Sequence, residues 1–167
     1  FFQVNTAMAE KMVQHMLTCL PVSLSITLLD VYCGVGLFSA FFAPKCGRVI
    51  GIESSESSCE DFAVNLDEFD NVELYEGFAE EVLSGLVDRV SISCAIVDPP
   101  RAGLDKQVID GIFNLNPRMI AYVSCDPSTL ARDAARLINA GYQLKEVTPF
   151  DLFPQTFHIE SISIFEK

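Results

Sequence analysis

Positive charge is scarce in this 167-residue chain: 11 Lys and Arg stand against 23 Asp and Glu, for a net charge of −12. A domain that grips a phosphate backbone unaided carries a basic patch, so this one is not expected to hold nucleic acid by itself. The run from Glu53 to Glu81 has neither Lys nor Arg, as a solvated helical face would. Six cysteines are present, but none forms a Cys-x-x-Cys pair and none falls with a histidine at metal-ligand spacing. No metal is therefore expected in these residues. A basic n-region and a cleavage pattern are both missing, so no signal peptide is expected and the cysteines read as reduced thiols of the cytoplasm. Long uninterrupted apolar runs are absent too. The stretch from Met16 to Ala43 is broken by Pro21, Asp30, Gly34 and Gly36, which excludes a membrane span there. With no initiator Met, the opening Phe1-Phe2-Gln3-Val4-Asn5 reads as a piece cut from a longer polypeptide. No internal repeat or linker appears, and the length suits one domain, residues 1–167.

Half of the residues are apolar, and apolar runs alternate with helical patterns, the mark of an α/β domain with a mostly parallel sheet. The spacing predicts helices over Thr6–Leu20, from the turn at Gly36 through Phe42, and over Ser57–Phe69, Ala79–Leu86, Lys106–Phe113 and Ser128–Ala140. Strands are predicted at Ile26–Tyr32, Gly47–Glu53, Asn71–Tyr75, Ser93–Asp98 and Met119–Ser124, with Tyr142–Phe150 and Phe157–Glu166 as a closing antiparallel pair. The residues of chemical interest all follow strands: Asp30 to Gly36, Glu53, Asp98 to Arg101, and Ser124 to Asp126. Ligands of open α/β sheets bind at that rim, outside the carboxyl ends of the strands.

The turn Asp30-x-Tyr32-Cys33-Gly34-x-Gly36, followed by Glu53 at the end of the second strand, suits a cofactor that contains a nucleoside. Glycines let the backbone approach such a ligand, and an acid there can accept from both ribose hydroxyls. A dinucleotide motif would place a third glycine where Ser39 stands, and a diphosphate would be repelled by Asp30. S-adenosylmethionine, with a sulfonium and an amino group, fits better than a nicotinamide cofactor, which disfavours an oxidoreductase. Tyr32 can pack on the cofactor or serve structure only, and Phe78 and Ala79 can flank an adenine or simply start a helix. In Asp98-Pro99-Pro100-Arg101 two prolines stiffen a loop that presents an acid and a guanidinium, suited to holding a planar base.

Cys125 offers a thiol at a strand-to-helix turn, and Glu160 a carboxylate able to fold back beside it. A nucleophile and a base are what methylation at an unreactive pyrimidine carbon needs. A thiolate added to carbon 6 of uridine makes carbon 5 enolate-like, and a base must then remove the carbon-5 proton. The plain alternatives are a cysteine that packs as a small hydrophobe and a glutamate that is a strand-face charge. His158 can tune the base, touch the substrate or pack.

Four segments then carry a resemblance over nearly the whole length: Asp30-Val-Tyr-Cys-Gly-Val-Gly36, Asp98-Pro-Pro-Arg-Ala-Gly-Leu104, Tyr122-Val-Ser-Cys-Asp-Pro-Ser-Thr-Leu-Ala-Arg-Asp133 and Asp151-Leu-Phe-Pro-Gln-Thr-Phe-His-Ile-Glu160. The chain resembles the catalytic domain of the S-adenosylmethionine-dependent RNA 5-methyluridine methyltransferases of tRNA and rRNA. That implies a Rossmann-like class I methyltransferase fold, a seven-stranded, mostly parallel sheet with an antiparallel last strand. It implies Cys125 as the nucleophile on carbon 6, Glu160 as the base at carbon 5, and cofactor contacts from Gln3, Tyr32, Glu53 and Asp98. Asp30, Gly34 and Gly36 complete the expected cofactor site, with Arg101 and His158 positioning the base. Such proteins add an N-terminal RNA-binding barrel, in some with an iron–sulfur cluster, and a central domain, both absent from these residues. RNA is thus the expected partner, through the full-length protein. The Asp98–Arg101 loop has no thiol, unlike the loop of a two-cysteine 5-methylcytosine enzyme. A methyltransferase of another base, or a silent cofactor-binding module, are the competing readings.

Overall fold

Strands covered on both faces read as unbroken apolar runs, and the centre of this molecule is built from them. The computed structural model describes residues 5–152, 155–156 and 159–167. In chain order they form α1 (Thr6–Cys19), β1 (Thr27–Val31), α2 (Leu37–Phe42), β2 (Arg48–Glu53), α3 (Glu56–Asn65), β3 (Val72–Glu76), α4 (Ala79–Leu86), β4 (Cys94–Val97), α5 (Lys106–Leu115), β5 (Met119–Ser124), α6 (Pro127–Asn139), β6 (Gln143–Phe150) and β7 (Glu160–Glu166). One seven-stranded sheet has the order β3-β2-β1-β4-β5-β7-β6. Strands β1 to β5 pair in parallel, whereas β7 runs antiparallel to β5 on one side and β6 on the other. The mostly parallel α/β sheet with an antiparallel last strand is therefore present as expected.

Successive side chains of a strand point to opposite faces, and the two faces hold two cores. Leu29, Val31, Ala95, Val97, Ile120 and Tyr122 pack under α4, α5 and α6, through residues such as Leu83, Ile112 and Leu137. Leu28, Cys94, Ile96, Ala121 and Val123 pack on the other face against Met12, Met16 and Phe42 of α1 and α2. Cys94 is a fully buried packing cysteine. No helix among the described residues is long and apolar enough to cross a membrane.

Capping defines where several helices begin. Asn5 accepts from Met8 N at 3.2 Å to start α1, and Asp105 accepts from Gln107 N at 2.9 Å to start α5. Most boundaries fall within two residues of expectation, but α3 ends at Asn65 rather than continuing to Phe69. The side-chain amide of Asn71 donates to Ala43 O at 2.9 Å and to Cys46 O at 2.8 Å. Those bonds pull the chain back to the α2–β2 connection, and the helix must break to deliver them. Gln3 and His158, both expected at the site, lie outside the described residues, as does Phe157, where the last strand was expected to begin.

Candidate active site

Parallel register aligns the carboxyl ends of β1, β2 and β4 at one rim. Val31 stands level with Ile52 and with Val97, so Tyr32, Glu53 and Asp98 follow together. The chain leaves β1 through Tyr32, whose φ of 64° is left-handed, then Gly34 and Gly36 at 55° and 89°. Such a conformation strains a residue with a Cβ, and persists where surrounding contacts over-determine it. Here Tyr32 N and Cys33 N both donate to Ile52 O, at 2.9 and 3.1 Å. Position 36 favours glycine, because its φ of 89° strains any residue with a Cβ, and that Cβ would also stand 2.4 Å from Leu66 Cδ1 and 2.9 Å from Phe62 Cδ2.

Glu53 is locked by the same turn. Its Oε2 accepts from Gly34 N at 3.0 Å, and its Oε1 from Ser54 N and Ser55 N at 2.8 Å each. A carboxylate oxygen has two lone pairs, so Oε2 keeps one acceptor site while its orientation is fixed. Asp30 lies deeper than the sequence suggests. It is fully buried within β1, with Oδ2 accepting from the Ser39 hydroxyl at 2.6 Å. Ser39, in place of a third glycine, thus anchors a buried acid beneath the turn. Among the described residues Asp30 Oδ1 has no partner, and burial pushes the Asp30 carboxyl up to about 6, against the pull of the Ser39 bonds. Of the residues expected to flank an adenine, Phe78 is exposed, whereas Ala79 is buried in the core and serves packing.

The second half of the rim is assembled by the antiparallel insertion of β7. Ser124 stands opposite Ser161 and Phe150 opposite Glu160. Continued by one residue past Ser124, the β5–β7 register sets Cys125 beside Glu160. Cys125 is partly buried. Burial first, and then the Glu160 charge, raise its thiol above the ordinary value, while Arg101 opposes them as a charge and as a hydrogen-bond donor. Burial also raises the Glu160 carboxyl, again against Arg101. Asp98 is pushed up to about 7 by burial and by the charges of Glu160 and Asp30. Cys125, Glu160, Asp98 and Arg101 therefore form one electrostatic cluster. Three acids crowd this half of the rim and its floor around a single guanidinium, a setting that favours a cationic ligand over an anionic one.

Asp126, the next carboxylate in the chain, is committed elsewhere. Its Oδ1 accepts from Ser128 N at 2.8 Å and Thr129 N at 3.0 Å, capping α6. Those two amides hold its pKa below the ordinary value, so it is an acceptor rather than a proton carrier.

Sequence reasoning did not single out Asp133. This fully buried acid accepts from Leu104 N at 2.7 Å and from the Tyr122 hydroxyl at 2.9 Å. Arg132 and Arg136 pair with it at 2.9 and 3.4 Å. It thereby ties the loop that carries Asp98 and Arg101 to β5 and α6, the elements that carry Cys125. A signal was available, because Asp133 interrupts the apolar stripe Leu130, Ala134, Leu137 on the inner face of a helix. An acid on such a stripe needs buried partners.

Known proteins share the sequence pattern and the fold of this chain. Residues 1–167 match the family described as tRNA (uracil-5-)-methyltransferase. An uncharacterized RNA methyltransferase of Caldanaerobacter subterraneus is 42% identical over 170 residues, all of this chain and 38% of the relative. One of Enterococcus faecalis is 39% identical, over all of this chain and 37% of the relative. The chain thus spans less than two fifths of these curated relatives. A solved structure of the Pyrococcus abyssi tRNA (uracil-54, C5)-methyltransferase, in complex with S-adenosyl-L-homocysteine, superposes with a TM-score of 0.83 at 30% identity, covering 99% of this chain and 40% of that one. A precorrin-6y methyltransferase of Geobacter metallireducens shares the fold alone, with a TM-score of 0.76 at 18% identity, covering 94% of this chain and 88% of that one.

Proposed function

Because the chain belongs to the tRNA (uracil-5-)-methyltransferase family, we propose that its whole protein transfers a methyl group from S-adenosylmethionine to carbon 5 of a uridine in RNA. The observation that supports this reading is the β5–β7 register, whose last pair is Ser124 and Ser161 and whose continuation brings the Cys125 thiol under the charge of Glu160, a carboxyl that burial makes a better proton acceptor. The protein bound to S-adenosyl-L-homocysteine offers a tRNA substrate as the first to test.

The residues present fit the cofactor. Asp30 Oδ1, which has no partner among the described residues, would accept from an amino group, and Asp98 gains from any nearby positive charge. Glu53, fixed by three backbone amides, retains a lone pair for a ribose hydroxyl. When bound, the cofactor supplies a methyl group on a sulfonium. Gly34, Gly36 and Tyr32 shape the turn against which its nucleoside would rest.

On the substrate side, Arg101 favours ionisation of Cys125 and offers donors to a uracil carbonyl. The Cys125 thiolate adds to carbon 6, and the electron pair displaced onto carbon 5 takes up the methyl group. Glu160 then removes the carbon-5 proton, the carbon 5–carbon 6 double bond reforms, and the sulfur leaves carbon 6. The overall negative charge fits a division of labour in which the rest of the protein grips the RNA. The test uses full-length protein and an RNA containing 5-fluorouridine. Fluorine cannot leave as a proton does, so a denaturation-stable protein–RNA adduct should form and should vanish in Cys125→Ala. Absence of any adduct, with RNA and cofactor bound, refutes the thiolate mechanism.

A further inference from the structure

Away from the rim, a second cluster of metal-ligating side chains lies between the last turns of α1 and the edge strand β6. His15 and Cys19 are four residues apart on α1, which puts both on one helix face. His15 Nε2 lies 3.6 Å from Cys19 Sγ and 3.5 Å from Glu146 Oε1, and the three ligand atoms all fall within 4.8 Å of one another. The expectation that no cysteine falls with a histidine at metal-ligand spacing is corrected here: His15 and Cys19 form such a pair on α1, and the third member, Glu146, comes from a strand more than a hundred residues away. We propose that His15, Cys19 and Glu146 bind a zinc ion that staples α1 to β6.

Geometry is the first support. Zinc bonds of about 2.05 Å to nitrogen and about 2.3 Å to sulfur, at a tetrahedral angle, separate the two ligand atoms by about 3.6 Å. For nitrogen and a carboxylate oxygen the same construction gives about 3.4 Å. The observed 3.6 and 3.5 Å match both spacings. Competing hydrogen bonds explain the cluster less well. One ring nitrogen faces both the thiol and the carboxylate, and it has one site to share between them. A cation at the centre satisfies all three at once.

The surroundings are those of a held ligand set. The His15 ring meets Phe150 edge-on, with centroids 5.6 Å apart at 61°. Glu146 accepts from the Thr148 hydroxyl, the kind of outer contact that orients a ligating carboxylate. A register irregularity between Leu144 and Glu146 marks a bulge, which re-aims a strand side chain. The mixed nitrogen, sulfur and oxygen donor set selects zinc over calcium or magnesium, which favour oxygen alone. Glu146 is half exposed, which leaves water access for a fourth ligand.

The test titrates full-length protein with cobalt(II), a spectroscopic stand-in for zinc, and displaces it with zinc. One equivalent should produce a thiolate-to-cobalt absorption band that persists in Cys125→Ala and disappears in Cys19→Ser. Losing an outer-shell partner commonly weakens metal binding 10–100-fold, so His15→Ala and Glu146→Ala should each lose at least ~10-fold in affinity. Zinc should raise the Tm of the wild type and leave that of Cys19→Ser unchanged, as binding to the folded state alone requires. Should Cys19→Ser fail to fold, the half-exposed Glu146→Ala carries the comparison. A band that survives Cys19→Ser, one lost in Cys125→Ala, undiminished affinity in Glu146→Ala, or no stoichiometric binding overturns the site.

Discussion

Asp30→Asn tests the electrostatics beneath the cofactor turn. Asp30 is fully buried, and burial pushes its carboxyl from 3.8 up to about 6. At about 1.4 kcal/mol for each step of one on the pH scale, ionising it in the folded chain costs about 3 kcal/mol. The sign follows from linkage. Its contribution is fully favourable below pH 3.8, where folded and unfolded chains both carry the proton. As pH rises toward 6 the unfolded chain releases its proton first, so stability falls, and above the folded pKa the loss is complete. Asparagine never ionises. It keeps an oxygen for the Ser39 hydroxyl but leaves an amide hydrogen without an acceptor, a penalty of about 1–3 kcal/mol that does not vary with pH. Urea unfolding of wild type and Asp30→Asn should therefore be followed from pH 4 to pH 8. The difference between the two proteins should change in favour of asparagine by about 2.5 kcal/mol across that range, since part of the full effect is already spent at pH 4. Acids remote from Asp30 contribute equally to both chains and cancel, while Asp98, which the Asp30 charge helps to raise, is relieved in Asp30→Asn and shifts the difference in the same direction. Parallel curves would refute the argument, and would mean that Asp30 ionises with an ordinary pKa despite its burial.

Three further outcomes are expected. In full-length protein, Glu160→Gln should accumulate a covalent, already methylated adduct with ordinary uridine, and turnover should fall by about 10²–10⁴-fold, the usual worth of a general base; normal turnover would remove Glu160 from that role. Alkylation of Cys125 by iodoacetamide, followed in a Cys19→Ser background, should slow in Arg101→Ala and quicken in Glu160→Gln, since Arg101 lowers and Glu160 raises the thiol pKa; identical rates would dissolve the proposed cluster. Asp133→Asn should destabilise the chain by about 1.5–3 kcal/mol in thermal or urea melts, because the Leu104 amide and the Tyr122 hydroxyl lose a charged acceptor while the half-exposed Arg132 and Arg136 return to water. Tyr122→Phe, which removes one neutral donor, should cost about 1 kcal/mol, and equal losses in the two variants would argue against Asp133 as the hub.

Local order left its mark on the sequence, and much of the architecture was readable from it. Strands such as Met119–Ser124 and helices such as Ala79–Leu86 begin and end where the pattern predicts. Their residues are selected by period, by caps and by breakers, all of which act within a few positions. Parallel strands that end in polar residues, at Asp30, Glu53, Asp98 and Cys125, also announce a ligand rim, because the unpaired strand ends are where a sheet can present side chains to solvent.

Tertiary structure decided what those residues can do. Cys125 and Glu160 are 35 positions apart, and nothing local to either one dictates that β7 inserts between β5 and β6 rather than pairing with β6 alone. Long-range register made them neighbours. It was depth, equally invisible along the chain, that turned Asp30 from a rim residue into a buried acid held by Ser39 and made Asp133 the knot between the Arg101 loop and the thiol-bearing turn. The same holds for Asp126, a carboxylate beside the candidate nucleophile, which the amides of α6 claim as a cap. Sequence specifies which groups are available and on which element they ride. Burial, register and the electrostatic company a group keeps are properties of the assembled sheet, and they determine whether a carboxyl caps, anchors or takes a proton.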